Sequence, residues 1–349
     1  MMPRLSSRPP LQDAGASCKE DDPIVIGLVN NMPDGALRKT ELQFYELLSA
    51  ASHGLAVQWR LFYFPELPRG EAGRLHLTQS YEDISALWTS RLDGLIVSGA
   101  EPRSASLADE PYWPNLTKLV DWAEHNTIST VWSCLAAHAA VLHLDSIPRR
   151  PLRAKLCGIF DCSKAENHSI IARAPSRWCV PHSRYNELPE AALVWKGYRI
   201  LSRSPEAGAD IFVKQRNSLF IFLQGHPEYD AGALLREYRR DIRLFLDGKS
   251  DSYPEIPHGY FDHETRMVLA AYRARALSEP RLELMLPAVT KEKLPHSWRS
   301  LAIRLYTNWL SYLTQQKARN HCAAPSSAPH DDRVRVEAAH PVHSHVLTS

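Results

Sequence analysis

The sequence has no apolar run long enough to cross a membrane. Its longest apolar stretch, residues 131–144, is interrupted by Ser133, His138 and His143, whereas a spanning helix needs about 20 predominantly apolar residues. The first 22 residues carry prolines, serines and charges but lack the apolar core of a secretory signal. We therefore expect no membrane partner and a cytoplasmic location.

Cysteine is scarce, and neither sign of charge is in excess. Six cysteines in 349 residues are too few for a disulfide scaffold, which favours reduced thiols. Because 41 Lys and Arg nearly balance 39 Asp and Glu, the basic face of a nucleic-acid-binding protein is not indicated. The content of 44% hydrophobic and 23% charged residues excludes a wholly disordered or fibrous chain.

Several common functional motifs are missing as well. The sequence contains no G-x-S-x-G element, no glycine loop that would cradle a phosphate and no dinucleotide fingerprint. Cys157 and Cys162 lack the second close pair that a zinc site of this type requires. His340, His343 and His345 could bind a metal ion, but we interpret them as part of a solvated tail. We therefore predict no metal site.

The apolar pattern predicts one compact domain between two tails. Residues 1–22 and 316–349 have no apolar period, so we predict that both are disordered. Length alone would suggest roughly two domains at about 150 residues each. Residues 23–315 nevertheless contain no clear linker, and we predict a single main domain there.

Short apolar segments alternate with helical patterns inside this domain. The predicted strands are residues 24–30, 57–64, 94–98, 129–133 and 218–224. The predicted helices are residues 41–51, 113–125, 135–144, 231–246 and 301–314, and residues 31–40 are predicted as a loop. This alternation indicates an α/β fold, with a mostly parallel sheet flanked by helices. In such sheets the chemistry lies at the carboxyl ends of the strands.

Cys134 stands between a predicted strand and a predicted helix. A thiol at such a turn lies beside backbone N–H groups that have no helical partner and at the positive end of the helix dipole. Both favour the thiolate, which is the nucleophilic form, and the same N–H groups can hold an oxyanion. The alternative is a buried structural cysteine.

A histidine and a glutamate follow the predicted strand 218–224. His226 would lie at the same sheet edge as Cys134, and Glu228 is close enough in sequence to turn back toward its ring. This arrangement is that of a nucleophile, a base and a group that orients the base. Alone, the His-x-Glu pair is more typical of a turn histidine, but two such motifs at strand ends support each other.

The motifs in residues 24–315 resemble those of a known family. The resemblance lies in the segments NNMPDGALRKTELQF, GLIVSGAEP, EPYWPNL, STVWSCLAAHAA, AKLCGIF, VPHSRYNELP, GHPEYD, EYRRD and NWLSYL, which occur in the family's order. The chain resembles the homoserine O-succinyltransferase/O-acetyltransferase family of methionine biosynthesis. The resemblance implies a class I glutamine-amidotransferase-like (flavodoxin-like) fold.

The resemblance also implies a catalytic triad. By position, Cys134 is similar to the cysteine that accepts the acyl group, His226 to the general base, and Glu228 to the partner of that base. No bound cofactor is implied, because the acyl-CoA is a substrate. The implied partners are therefore the small molecules homoserine and acyl-CoA, and a homodimer is the candidate assembly.

Four further residues are candidates for substrate binding. By resemblance, Lys155, Ser183 and Arg240 match substrate-contacting positions. Arginine suits the carboxylate of an amino-acid acceptor, because it can bind a carboxylate through two parallel hydrogen bonds. Glu237, three residues before Arg240 on the same predicted helix, could hold the acceptor's ammonium group. Without the motif match, each charged residue would be interpreted as solvated.

The chain departs from the family pattern at three places. Leu135 follows the cysteine where the family usually has tryptophan, and His138 stands where it usually has glutamine. The loop 34–39 is about two residues longer than usual, so Arg38 or Lys39 is the candidate for the family's oxyanion lysines.

The acyl donor depends on the residue after GLIVSGAEP. In the family, glycine there goes with succinyl transfer and glutamate with acetyl transfer, whereas this chain has Arg103. A cation could pair with the free carboxylate of a succinyl group, which favours succinyl-CoA. Glu101 lies two positions away and is the competing determinant.

The sequence therefore predicts a homoserine O-acyltransferase that acts through a cysteine acyl-enzyme. Three alternatives stay open: a serine O-acyltransferase of the same family, a glutamine amidotransferase-like hydrolase and a non-catalytic binding protein of the same fold. The departures at Leu135 and His138 favour the last of these, and the retained Cys134, His226 and Glu228 oppose it.

Overall fold

The computed structural model describes residues 22–278 and 295–323. Its strands are β1 Ile24–Val29, β2 Val57–Tyr63, β3 Glu82–Asp83, β4 Gly94–Val97, β5 Ser129–Ser133, β6 Arg150–Lys164, β7 Arg177–Glu187, β8 Arg199–Ile200, β9 Ser202–Ser204, β10 Gly208–Ala209, β11 Ile211–Gln215 and β12 Leu219–Leu223. Its helices are α1 Asp34–Ser52, α2 Glu71–Ser80, α3 Ile84–Leu87, α4 Trp113–Asn126, α5 Leu135–Asp145, α6 Glu190–Trp195, α7 Ala233–Leu246, α8 His263–Ser278 and α9 Arg299–Ala323.

The main sheet has eight strands in the order β3-β2-β1-β4-β5-β12-β11-β8. The strands from β3 to β12 pair in parallel, and β11 and β8 add an antiparallel edge. The central strands β4, β5 and β12 are buried on both faces, which is typical of parallel strands covered by helices. The predicted fold class is therefore confirmed.

Alternate residues of the central strands pack on opposite faces of the sheet. Trp132 and Phe222 belong to the core beneath α4 and α5, whereas Val131 and Leu223 belong to the core beneath α1 and α9. Because side chains alternate along a strand, one apolar run supplies both cores.

A second, four-stranded antiparallel sheet has the order β10-β9-β6-β7. Its two long strands pair so that Cys157 lies opposite Ser183. The peptide of Gly158 lies against His258, and a Cβ atom at Gly158 would be only 2.4 Å from the His258 backbone. The N–H of His226, just past β12, donates to the carbonyl of Pro181 in β7 at 2.8 Å, so this sheet lies beside the carboxyl end of β12.

The predicted loop 31–40 is wrong over most of its length, because α1 begins at Asp34. Thr40 and Gln43 are polar but lie on the buried face of this helix, so the apolar period is interrupted in the sequence. Asp34 in the first turn accepts a hydrogen bond from the backbone N–H of Gly70 at 2.7 Å, and a carboxylate there suits the helix dipole.

The last helix extends past the predicted domain boundary at residue 315. Helix α9 ends at Ala323, and Lys317 in its later turns pairs with Asp93 at 2.9 Å. The predicted C-terminal tail therefore begins inside a helix, and its remainder lies outside the described residues, as does almost all of the predicted N-terminal tail. In the described ranges 22–278 and 295–323, no helix combines the length and apolarity needed to cross a membrane.

Candidate active site

Cys134 occupies a sharp turn between β5 and α5. Its φ of 52° and ψ of −113° lie outside the usual regions for a residue with a side chain. Such backbone strain is concentrated at functional sites. The Cys134 N–H donates to the carbonyl of Leu223 at 2.7 Å, which ties the turn to the end of the neighbouring strand β12. The thiol therefore lies at the carboxyl edge of the sheet.

Gly99 leaves space beside this turn. A Cβ atom at position 99 would lie 3.3 Å from the backbone nitrogen of Leu135 and 3.6 Å from Cβ of Cys134. The first N–H groups of a helix have no partner within the helix. The space next to Gly99 can therefore admit a carbonyl oxygen that receives a hydrogen bond from the start of α5.

His226 approaches the same edge from β12. Its backbone N–H donates to the carbonyl of Pro181 at 2.8 Å, and its ring Nδ1 lies 2.8 Å from Oε1 of Glu228. Burial lowers the pKa of His226, but the charges of Cys134 and Glu228 and hydrogen bonds with both side chains raise it well above its ordinary value. The structure thus brings the three predicted residues together and favours the imidazolium form of His226.

The candidate acceptor residues form one polar cluster. Glu237 accepts hydrogen bonds from the hydroxyl groups of Ser183 and Tyr229 and from Nζ of Lys155, the last at 3.3 Å. Burial raises the pKa of Glu237, but Lys155 and the two hydroxyl groups lower it to a net value below its usual range. The carboxylate is therefore ionised, partly buried and bound by three donors.

Arg240 lies at the exposed side of this cluster. Its Nε and Nη2 donate to Oδ1 of Asp241 at 3.0 and 2.9 Å, while Oδ2 of Asp241 accepts from Lys155 at 2.6 Å. The Arg240 side chain remains 47% exposed. Burial lowers its pKa, but the charges of Asp241, Glu237 and Glu101 raise it. Glu101 is therefore close enough to Arg240 for the two charges to interact.

Arg103 is not part of this cluster. Its side chain is exposed, and its backbone N–H donates to Oε1 of Glu110 at 2.6 Å. The next N–H, that of Ser104, donates to the same oxygen at 2.7 Å. The buried Glu110 carboxylate therefore orders the loop, while the Arg103 guanidinium stays free to meet a ligand. Its role in donor choice stays a prediction.

The two departures in α5 lie at buried positions. Leu135 is 8% exposed and belongs to the core on the α4 side of the sheet. Nε2 of His138 lies 3.0 Å from Oε1 of Gln224, and burial lowers the pKa of His138 to about 3. His138 is therefore a neutral group that links α5 to the residue after β12.

Neither cation of the predicted 34–39 loop contacts the thiol. Arg38 and Lys39 are exposed on α1, and Lys39 lines a groove shared with Gln43, Asp230 and Arg236. An oxyanion role for either residue stays a prediction.

One group of side chains in the described ranges could hold a metal ion. The donor atoms of Cys162, His182 and Asp210 all lie within 4.8 Å of one another, and all three residues are buried. Asp210 also accepts a hydrogen bond from Ser202 at 2.9 Å. Position 225 has no room for a side chain beside this group, because a Cβ atom there would lie 2.7 Å from Oδ1 of Asp210. We interpret the group as a polar support behind the His226 turn.

Two residues with no role in the sequence analysis belong to the site. Tyr229 stacks on His226 and binds Glu237, and Asp241 holds both Lys155 and Arg240. Both lie within motifs that carry the family resemblance, GHPEYD and EYRRD, and these motifs were the sequence signal that could have indicated them. Their partners come from distant parts of the chain, so the sequence did not indicate their contacts.

The family model described as homoserine O-succinyltransferase matches residues 9–320 of the chain. The chain belongs to the homoserine O-succinyltransferase family. It is 47% identical over 297 residues to a homoserine O-succinyltransferase of Methylorubrum extorquens, with 84% of this chain and 88% of the relative covered. It is 46% identical over 315 residues to one of Bradyrhizobium japonicum, covering 89% and 97%. The predicted family and the enzyme class, acyltransferase, are confirmed.

Similarity to solved structures is more distant. A glutamine amidotransferase from Methylobacillus flagellatus aligns with a TM-score of 0.47 and 13% identity over 83% of this chain and 94% of that one. Similarity of this size supports no conclusion about activity.

Proposed function

We propose that this member of the homoserine O-succinyltransferase family transfers a succinyl group from succinyl-CoA to the hydroxyl of L-homoserine through an acyl-enzyme on Cys134. The observation that carries the proposal is the strained Cys134 turn next to the hydrogen-bonded His226–Glu228 pair. The family membership supplies the acyl-transfer chemistry, and the names of the relatives suggest the donor and acceptor.

In the first half-reaction, the Cys134 sulfur attacks the thioester carbonyl. His226 holds the proton of the thiol, and Glu228 stabilises the imidazolium that results. The carbonyl oxygen becomes an oxyanion, for which the N–H groups at the start of α5 are the candidate donors. As the tetrahedral intermediate collapses, the bond from carbon to the CoA sulfur breaks. The proton on His226 then passes to the departing CoA thiolate.

In the second half-reaction, homoserine takes the place of CoA. Arg240 binds the carboxylate of homoserine. The ionised carboxylate of Glu237 supplies the negative charge that suits its ammonium group. His226 removes the hydroxyl proton while that oxygen attacks the acyl carbon. The bond from this carbon to the Cys134 sulfur breaks, and the thiolate–imidazolium pair is restored. The product is an O-acyl ester of homoserine.

The decisive assay combines each acyl donor with each acceptor. The purified full chain is mixed with succinyl-CoA or acetyl-CoA and with L-homoserine or L-serine, while free CoA is followed and the product is identified by mass. We expect O-succinylhomoserine and, without an acceptor, a burst of about one CoA per chain. Preference for serine would identify the sister acyltransferase. Release of ammonia from glutamine with no CoA release would identify the hydrolase, and no turnover at all would favour the binding protein.

Arg240→Gln should weaken the binding of homoserine without affecting acylation. Truncating one partner of a buried charge pair costs about 2–5 kcal/mol. Because bound homoserine would bury this contact, KM for homoserine should rise roughly 100-fold. The CoA burst without acceptor should keep its wild-type rate. Steady-state and burst kinetics of the same preparation measure both quantities.

Arg243→Gln is the matched control for Arg240→Gln. Arg243 is exposed on α7, less than one turn further along, so the same change there should leave both quantities unaltered. A slowed burst in Arg240→Gln would instead place this arginine in donor binding.

Arg103→Glu should change the choice of donor. A glutamate would repel the free carboxylate of a succinyl group, and this repulsion has no counterpart for acetyl. We expect the ratio of succinyl to acetyl kcat/KM to fall at least roughly tenfold, about 1.4 kcal/mol. Equal weakening of both donors, mainly in KM, would indicate contact with CoA phosphates, and an unchanged ratio would remove Arg103 from donor selection.

Four expectations from the sequence stay predictions: the cytoplasmic location, the homodimer, the absence of a nucleic-acid partner and the absence of a bound cofactor.

A further inference from the structure

Tyr229 connects the base to the acceptor cluster. Its ring lies nearly parallel to the imidazole of His226, with centroids 4.2 Å apart and planes inclined by 16°. At the other end of the same side chain, the hydroxyl donates to Oε1 of Glu237. One rigid, buried side chain therefore touches both groups that the second half-reaction brings together.

The hydroxyl of Tyr229 is held as a donor. Burial and the nearby charges of Glu237 and Glu228 raise its pKa well above the ordinary value. The other oxygen of Glu237 accepts from Ser183 and Lys155. Removing the tyrosine hydroxyl would therefore leave Oε1 of Glu237 without that partner and loosen one side of the acceptor cluster.

The backbone of Tyr229 is also anchored. The indole N–H of Trp298, which is 1% exposed, donates to the Tyr229 carbonyl at 2.9 Å. The Tyr229 N–H donates to the carbonyl of His226 at 3.2 Å. The position of the ring is therefore set by contacts from two directions, and the imidazole has a rigid surface on one face.

We infer that Tyr229 is a positioning residue whose ring holds the His226 imidazole for both half-reactions and whose hydroxyl holds Glu237 for the acceptor alone. The inference rests on the proposed function, because it assigns His226 as the base and the Glu237 cluster as the homoserine site. Displacement of a reacting group by about 1 Å can cost about 100-fold in rate, so a support of this kind has a measurable effect.

Two substitutions separate the ring from the hydroxyl. Tyr229→Phe keeps the stacking surface and removes the hydrogen bond, so the rate of the CoA burst should stay within about twofold of wild type. KM for homoserine should rise about tenfold, the size expected for a lost hydrogen bond to a charged group. Tyr229→Leu removes the flat surface as well, and the burst itself should slow by roughly 10-fold to 100-fold.

The matched control is Tyr198→Phe. Tyr198 is another buried tyrosine whose hydroxyl donates to a carboxylate, that of Asp145 at 2.6 Å, at the end of α5 away from Cys134. Removing this hydroxyl deletes the same kind of bond, so burst rate and homoserine KM should both equal those of wild type. Circular dichroism and the thermal midpoint of every variant check the fold, and Tyr229→Phe decides the inference if Tyr229→Leu does not fold.

Three results would overturn the inference. They are an unchanged homoserine KM in Tyr229→Phe, an equal loss in both half-reactions of Tyr229→Phe, or a wild-type burst in folded Tyr229→Leu. Measuring wild-type protein alongside the variants distinguishes failure of this inference from failure of the proposed function. If wild type forms no acyl-enzyme, the proposed mechanism is wrong and the role of Tyr229 falls with it.

Discussion

Cys134→Ser should lose turnover by several orders of magnitude. An alcohol is a far weaker nucleophile at neutral pH than a thiolate. The raised pKa of His226 favours its imidazolium form, which suits a thiolate partner and not a neutral serine hydroxyl. Incubation with succinyl-CoA should add one succinyl group to wild-type protein and none to the variant. Intact-protein mass spectrometry measures the label, and CoA release measures turnover.

Cys157→Ser is the control for this labelling experiment. Cys157 lies next to Lys155 and Ser183, yet burial is the main cause that raises the pKa of its thiol to about 12, so it should be protonated and unreactive. The label should persist in Cys157→Ser. A label that persisted in Cys134→Ser and disappeared in Cys157→Ser would show that Cys157, and not Cys134, is the nucleophile.

Glu228→Gln should reduce kcat/KM by roughly 10²-fold to 10⁴-fold, the range seen when the carboxylate of a triad is neutralised. The amide preserves the shape of the side chain but removes the charge that helps to raise the pKa of His226. Because a negative partner favours the imidazolium, its loss lowers that pKa. The imidazolium is then lost at lower pH, and the alkaline limb of the pH–rate profile should move to lower pH.

Asp121→Asn provides a matched control for the Glu228 variant. Asp121 pairs with His143 at 2.8 Å on the exposed side of α4 and α5, so this change removes a histidine–carboxylate pair far from the thiol. Activity and pH profile should remain those of wild type. A Glu228→Gln profile that dropped in height without any shift along the pH axis would contradict the electrostatic role of Glu228.

Five strands of the main sheet, β1, β2, β4, β5 and β12, were predicted from the sequence, and all of them except the partly exposed β2 are almost fully buried. A strand such as β12 consists of five consecutive apolar residues, and no solvent-facing residue interrupts the run. The second sheet was not predicted for the opposite reason. The first half of strand β6 is exposed or partly buried and carries the charges of Arg150, Arg153 and Lys155, so its pattern resembles that of a surface loop.

The sequence by itself determined where the Cys134 turn and the His226 turn lie. Cys134 directly follows the predicted strand 129–133, and His226 lies two residues after the predicted strand 218–224. Parallel strands place their carboxyl ends at one edge. The pairing of Leu223 with Ser133 brings the two turns level. The resemblance to the family's motifs also selected Lys155, Ser183 and Arg240, and the spacing along the predicted helix added Glu237.

Only the tertiary structure decided how these residues meet. Lys155 and Ser183 come from the paired strands β6 and β7, and Glu237 comes from α7, more than 50 positions further along the chain. The stacking of Tyr229 on His226 and its bond to Glu237 depend on the turn between β12 and α7. Such contacts join residues by packing and hydrogen-bond geometry rather than by spacing, so no local pattern encodes them.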